Sequence, residues 1–166
     1  MAQTGSMVTG KLLDLLTDPS SGLNSSLPAI STTAGVNLPL LRSNQVVGQN
    51  VAPEVVEKSA GATYPAIHVY CDKVNNTLKE KFRTFSGKAH MAIEARVSQD
   101  RLGGIEQQMQ LYIDAITQVL DSNRGDWGEG MFYTGGYEVL FGPVKHGGKN
   151  FLQIGKVTLD VDISSN

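Results

Sequence analysis

The sequence predicts an α+β fold, in which an antiparallel or mixed β-sheet is packed by one long helix and preceded by an extended N-terminal arm. Apolar and polar residues alternate in several segments after residue 63, which predicts the strands. Apolar residues recur at helical spacing over residues 104–122, which predicts the helix. Residues 19–61 are rich in Ser, Thr, Asn, Gly and Pro without a clear period, which predicts the arm.

These patterns divide the chain in two. We expect residues 1–63 to form a short helix and the extended arm, and residues 64–166 to form the α/β domain. The total of 166 residues suits one domain with an appendage. Charged residues are only 18% of the chain, below the usual share of about 25%, which indicates that partners cover part of the surface.

The charge balance and the cysteine count exclude several classes of protein. The net charge of −2 gives no bulk attraction to nucleic acid or to an anionic membrane. Cys71 is the only cysteine, which excludes an intrachain disulfide and a multi-cysteine zinc site and suits a reducing compartment. Because the first residues lack the pattern of a secretory signal and no apolar run is long enough for a membrane span, we expect a soluble protein.

The N-terminal region contains one clear helical pattern. Four leucines in residues 11–16 predict an amphipathic turn or two of helix, which Asp18 and Pro19 should end. Residues 53–58 predict a further helical turn. The segment between them is too apolar for a solvated linker, so we expect an arm that lies on a neighbouring subunit; the alternative is a disordered extension.

The strands are predicted after residue 63. Residues 64–71 and 87–100 each alternate in polarity, and residues 131–144 do so with a break at Gly135 and Gly136. Residues 151–164 have the cleanest alternation in the chain, and they should pair with the preceding strand across a Gly-Gly turn at residues 145–150.

The residues that could support catalysis do not form a recognisable motif. Cys71 shares the apolar face of its predicted strand and is expected in the core, whereas His68 and His90 are expected to be surface or interface histidines. No HExxH, paired CxxC, P-loop or GxSxG pattern is present. We therefore predict no catalytic residues, no metal and no cofactor; the alternative is a small hydrolase or transferase that uses these three side chains.

Two segments are typical of an interaction surface. The basic residues between Lys73 and Lys88 are interleaved with two phenylalanines, and three aromatic residues lie in or directly after a Gly-rich turn near residue 128. Basic residues with aromatics can bind single-stranded nucleic acid, but the negative net charge favours docking on an acidic protein. The candidate interface residues are Lys79, Lys81, Phe82, Arg83, Phe85, Trp127, Phe132 and Tyr133.

The order and character of these segments resemble a known family. YPAIHVY, KAHMAIEARVSQD, IEQQMQLYIDAITQVL, an aromatic Gly-Gly segment and FLQIGKVTLDVDIS follow one another as in the neck and tail-terminator proteins of tailed bacteriophages. The resemblance covers residues 64–166 and includes no catalytic fingerprint. Residues 1–63 depart from the compact family pattern.

The resemblance implies a structural, non-enzymatic function. In such proteins a small α/β domain closes into a six-membered ring that caps the tail tube and joins it to the head-side connector. The implied partners are further copies of the chain, the major tail-tube protein and the head-side connector protein, with DNA passing passively through the ring. The implied location is the virion, after synthesis in the host cytoplasm. A head-tail stopper or adaptor of the neck is the alternative, as is a nucleic-acid-binding module that uses the basic residues 73–88.

Overall fold

The fold is α+β, as the sequence predicts. The computed structural model describes residues 4–58, 63–147 and 149–166. Within these ranges the helices are α1 (Thr4–Thr17), α2 (Leu23–Ala34), α3 (Pro53–Lys58) and α4 (Ile105–Ser122). The strands are β1 (Val46–Val47), β2 (Ala66–Asn76), β3 (Phe85–Gln99), β4 (Gly125–Gly128), β5 (Met131–Tyr133), β6 (Tyr137–Phe141), β7 (Lys145–Gly147) and β8 (Asn150–Ser165).

The centre of the sheet is the antiparallel pair of β3 and β8. Their register runs without a break from Phe85 opposite Ser165 to Gln99 opposite Phe151. In β8, buried and partly exposed residues alternate along most of the strand, because one face packs against helices. In β3 the helix-side residues are buried, and Ala92 and Arg96 on the other face are buried as well. The predicted strands at residues 87–100 and 151–164 are thereby confirmed.

Shorter strands complete the sheet on both sides of this pair. On one side β2 pairs with β3, and the two-residue β1 pairs in parallel with the start of β2. On the other side β5, β6 and β7 each pair with a different part of β8, and β4 pairs with β5. The predicted break at Gly135 and Gly136 is confirmed, since β5 ends before it and β6 begins after it.

A layer of helices covers one face of the sheet. Helix α4 packs on β3 and β8, α1 packs on β2 and β3, and α2 packs on α4. Gly155 permits the close approach of α4, because a Cβ atom there would lie 2.7 Å from Sδ of Met109. The prediction that a single long helix packs the sheet is not confirmed, because α1 and α2 belong to the helical layer together with α4. Among the described helices, none has the length and apolar character needed to cross a membrane.

The predicted extended arm is wrong for the residues that form α2. Leu23 and Leu27 are buried in the same hydrophobic cluster as the apolar side chains of α1 and the sheet. This helix is difficult to predict from its residues, because Pro28 lies inside it and its other residues are mostly Ser, Thr and Asn, which have low helix propensity. Residues 59–61 of the predicted arm and Gly148 of the predicted turn lie outside the described residues.

The irregular segment after α2 is held by side-chain hydrogen bonds. The Asn24 side chain donates from Nδ2 to the carbonyl oxygen of Leu41 (2.7 Å) and accepts from its backbone N–H (2.8 Å). The Tyr112 hydroxyl of α4 donates to the carbonyl oxygen of Pro39 (2.9 Å). Since each bond joins residues distant in sequence, this segment is fixed against α2 and α4.

Truncation of a core residue in α1 tests whether the N-terminal helix belongs to the core. Leu12 is fully buried, so Leu12→Ala should lower the free energy of unfolding by about 2–5 kcal/mol through lost burial and a residual cavity. Asp14 lies on the exposed face of the same helix, and Asp14→Ala should change the free energy of unfolding by less than about 0.5 kcal/mol. Urea unfolding of both variants measures the difference. Equal stability of the two would contradict the packing of α1.

Candidate interaction site

The turn between β2 and β3 projects from one end of the sheet. We call residues 77–84 the tip loop. It carries four of the candidate interface residues, and the side chains of all four are exposed: Lys79, Lys81, Phe82 and Arg83. Phe82 is 98% exposed, the largest value among the exposed apolar side chains of the described residues.

The Asn76 side chain holds the base of the tip loop. Its Oδ1 accepts hydrogen bonds from the backbone N–H groups of Leu78 (3.2 Å) and Ser86 (3.0 Å). Its Nδ2 donates to the carbonyl oxygen of Thr84 (3.1 Å). One amide side chain therefore connects both strands of the hairpin to the loop.

A second set of bonds joins the tip loop to the end of β8. Glu80 accepts a hydrogen bond from the Ser164 hydroxyl (2.9 Å) and forms an ion pair with Arg83 (3.4 Å). Arg83 also donates from Nη1 to Oδ1 of Asn166 (2.6 Å). Because Glu80 is the carboxylate beside Arg83, the cations left without an ion pair in the described part of the loop are Lys79 and Lys81.

The backbone of the tip loop adopts a conformation that is rare for large side chains. Leu78 has φ 49° and Phe82 has φ 66°, in the left-handed region that favours glycine. Each such residue costs about 1–3 kcal/mol and persists only where the surroundings impose it. The hydrogen bonds that the Asn76 side chain makes and that the Glu80 carboxylate accepts constrain the loop on either side of Phe82, whose side chain is in solvent.

A cleft lies between the tip loop and β5. Its volume is about 280 Å³, and its lining includes Lys79, Glu80, Gly130 and Phe132. Phe132 is 48% exposed because β5 directs its neighbours Met131 and Tyr133 into the core. The structure thus brings Lys79 and Phe132, which are far apart in sequence, to the same surface.

Three of the predicted interface residues belong to the core instead. Phe85 and Tyr133 are fully buried and Trp127 is nearly so. Trp127 donates from Nε1 to the carbonyl oxygen of Asn123 (2.6 Å), and its ring centroid lies 5.3 Å from that of Tyr133. Their side chains are therefore committed to packing within the domain, and no local sequence pattern indicates which aromatic residue faces inward.

The sheet face opposite the helices, which we call the polar face, contains a buried charge network. Glu94 accepts hydrogen bonds from the Tyr70 hydroxyl (2.6 Å) and from Arg96 Nη2 (3.2 Å), and Arg96 also donates to the carbonyl oxygen of Val51 (2.5 Å). Burial, with the hydrogen bond to Glu94, raises the pKa of Tyr70. The network fixes the chain before α3 against the sheet. It was not predicted because Val51 and Tyr70 are distant in sequence from Glu94 and Arg96.

The histidines and the cysteine do not meet. His68 is buried on the polar face, so the prediction of a surface or interface residue is wrong; the backbone of Gln49, just beyond β1, is its hydrogen-bond partner. His90 Nδ1 lies 2.5 Å from a carboxylate oxygen of Asp160. Cys71 is half-buried on the opposite face of the sheet, where burial raises the pKa of its thiol and disfavours the thiolate. This arrangement provides no cysteine–histidine pair.

Comparisons with known proteins add no assignment. No protein family model matches the chain, and no curated protein sequence matches it. In the part of the chain that the structure describes, no group of three or more His, Cys, Asp and Glu side chains is arranged to hold a metal ion. The phage resemblance of residues 64–166 therefore stays a prediction.

The burial of His68 makes a pH-dependent contribution to stability. Desolvation, followed in size by the charge of Arg96, lowers the pKa of His68 below 6.5 in the folded protein. Below about pH 6.5 the unfolded chain binds more protons at His68 than the folded protein does. The contribution of neutral His68 to the free energy of unfolding is therefore fully present above that pH and decreases as the pH falls. The wild-type free energy of unfolding should decrease more between about pH 7.5 and pH 5 than that of His68→Gln.

The matched control for this measurement is His90→Gln, because His90 lies on the same sheet face but is only partly buried. This variant makes the same change of side chain on the same face at a position that is less buried, and so shows the effect of the substitution itself. An identical decrease in the wild type and His68→Gln would show that His68 titrates normally.

Proposed function

We propose that the protein is a structural assembly protein of a phage neck, a tail terminator that forms a ring, caps the tail tube and joins it to the head-side connector. The observation that carries the proposal is the tip loop, a constrained protrusion that exposes Phe82 beside Lys79 and Lys81. A fixed apolar side chain with flanking cations is suited to an apolar pocket with an acidic rim on a partner protein. The major tail-tube protein is the partner that the terminator role requires.

A ring would multiply the effect of each loop. Every subunit of a closed ring presents one tip loop on the same side, so a stacked ring with matching symmetry engages several at once. Linked contacts of this kind raise the overall affinity far above that of one loop. A modest contact area at each loop is therefore sufficient for a stable cap.

The exposed surface favours protein docking over nucleic-acid binding. A single-strand binding surface stacks successive bases on a row of aromatic side chains. Phe85, the first residue of β3, is buried, so Phe82 is the aromatic side chain that the tip loop exposes, and the cleft separates the loop from the half-exposed Phe132. The stopper or adaptor alternative uses the same loop toward a different neighbour in the neck. The identity of the ring that the loop binds distinguishes these two functions.

Changes confined to the tip loop should weaken binding to tail tubes without unfolding the subunit. The variant Lys79→Glu/Lys81→Glu/Phe82→Asn reverses the free cations and removes the apolar side chain, and asparagine tolerates a positive φ. We expect the affinity for purified tail tubes, measured by cosedimentation, to decrease at least about tenfold, as for loss of an interface hot spot. The midpoint of thermal unfolding should not decrease.

The control makes the same chemical changes at the other end of the sheet. Lys145→Glu/Lys149→Glu/Leu102→Asn alters three exposed residues near the end of β3 and the start of β8, far from the tip loop. It should leave tube binding unchanged. Retained binding by the tip-loop variant would remove the loop from the tube interface. Salt-sensitive binding to a single-stranded oligonucleotide, lost in the same variant, would instead support the nucleic-acid function.

A further inference from the structure

The sheet has an open edge at each of its two sides. In the described residues β6 pairs only with β8, so its other edge has no partner strand. On the opposite side β1 covers only Ile67 and His68 of β2, which leaves the backbone edge of residues 70–76 without a partner strand in the described chain. Unpaired strand edges present N–H and C=O groups that can pair with another chain.

The edge of β6 is apolar. Tyr137, Leu140 and Phe141 are 38%, 55% and 50% exposed. The strand contains no lysine or proline, the residues that commonly protect an edge from pairing, and Glu138 is its only charged residue. This edge has the character of an interface strand.

The edge of β2 faces a groove. The groove has a volume of about 530 Å³ and is lined by Gly5, Thr9 and Gly10 of α1, by Gly48, and by residues 69–71 of β2. A Cβ atom at Gly10 would meet no atom within 4 Å, whereas Gly5 packs closely on the strand, its Cβ position lying 3.2 Å from Cβ of Cys71. The open side of the groove at Gly10 thus leaves space for the side chains of an incoming strand.

The side chains of the two edges belong to the same layer. Cys71, Met91, Leu159 and Tyr137 form one cross-strand row from β2 through β3 and β8 to β6. Cross-strand partners project from the same face, so Tyr137 and Cys71 both lie on the helix side. A β6 strand placed beside the β2 edge of another copy would direct Tyr137 toward the groove under α1.

The strand directions also agree. Three successive antiparallel pairings, β2 with β3, β3 with β8 and β8 with β6, make β6 run opposite to β2. Rotation about an axis along the strands preserves these directions. Copies related by such a rotation therefore bring β6 and β2 together as an antiparallel pair.

We propose that the partner at these edges is a second copy of this chain, with β6 of one subunit paired to residues 70–76 of β2 in the next. On the polar face this places the exposed Glu138 of one subunit on the same side as the exposed Lys73 of its neighbour, a complementary pair of charges. The contact uses two unlike surfaces, so it repeats around a ring rather than ending at a dimer. The inference rests on the ring of the proposed function and specifies how its subunits join.

Cys71 provides a built-in reporter for this contact. We would introduce one cysteine at a time on the helix side of β6, as Tyr137→Cys, Val139→Cys or Phe141→Cys, and oxidise the full-length protein with copper phenanthroline. A disulfide requires Cα atoms about 4.4–6.8 Å apart, and the three positions allow for a shift in register. Because each subunit carries both halves of the contact, at least one variant should give a ladder of covalent dimers, trimers and larger species on a non-reducing gel.

The controls separate this contact from others. The ladder should disappear when Cys71→Ala is added, and Leu102→Cys, a similarly exposed site outside both edges, should give none. Covalent dimers that persist with Cys71→Ala would show a symmetric β6–β6 contact and overturn the proposal. Absence of a ladder in all three variants, in protein that light scattering shows to be a closed oligomer, would overturn the edge contact but leave the proposed function intact. A protein that is monomeric in solution and does not bind tail tubes would overturn both the edge contact and the proposed function.

Discussion

The pairing of β3 with β8 is the constraint on which the remaining structure depends. Its register extends from Phe85 opposite Ser165 to Gln99 opposite Phe151 without a bulge. Both strands alternate apolar and polar residues, so a slip of one residue would place the apolar side chains of one strand on the polar face. The same pairing decides which face receives α1 and α4 and which edges accept the shorter strands. Local pattern and long-range contact therefore agree in specifying one fold.

The tip loop and the open edges follow from this central pair. Because β3 begins where β8 ends, the loop that precedes β3 lies beside residues 164–166, which bind Glu80 and Arg83. Because β8 is much longer than β5, β6 or β7, three short strands are needed to follow its other side, and β6 remains at the edge. The proposed docking surface and the proposed subunit contact thus have a common structural origin, one at the end of the central pair and the other at its side.

Sequence reasoning succeeded where the signal was local. The period of residues 104–122 predicted α4, and the alternation of residues 151–164 predicted β8, since each pattern depends only on which face is buried. It failed where a distant segment decided the outcome. The backbone of Gln49, beyond β1, is a hydrogen-bond partner of the buried His68, and Pro28 makes the sequence of α2 unlike that of a helix although packing stabilises it. Of the candidate interface, the basic tip-loop residues and Phe132 are exposed as expected, but Phe85, Trp127 and Tyr133 are buried, because alternation alone does not reveal which face a helix will cover.

The exposed features of the subunit are suited to contacts with copies of itself and with a stacked partner. We propose on this basis that the chain assembles into a closed ring. The most direct test is the molar mass in solution by light scattering, over a wide range of protein concentration, with and without purified tail tubes. For a closed ring we expect a discrete species near six chains, either free in solution or formed on the tubes. The mass of a single chain at every concentration, unchanged by tail tubes, would contradict it.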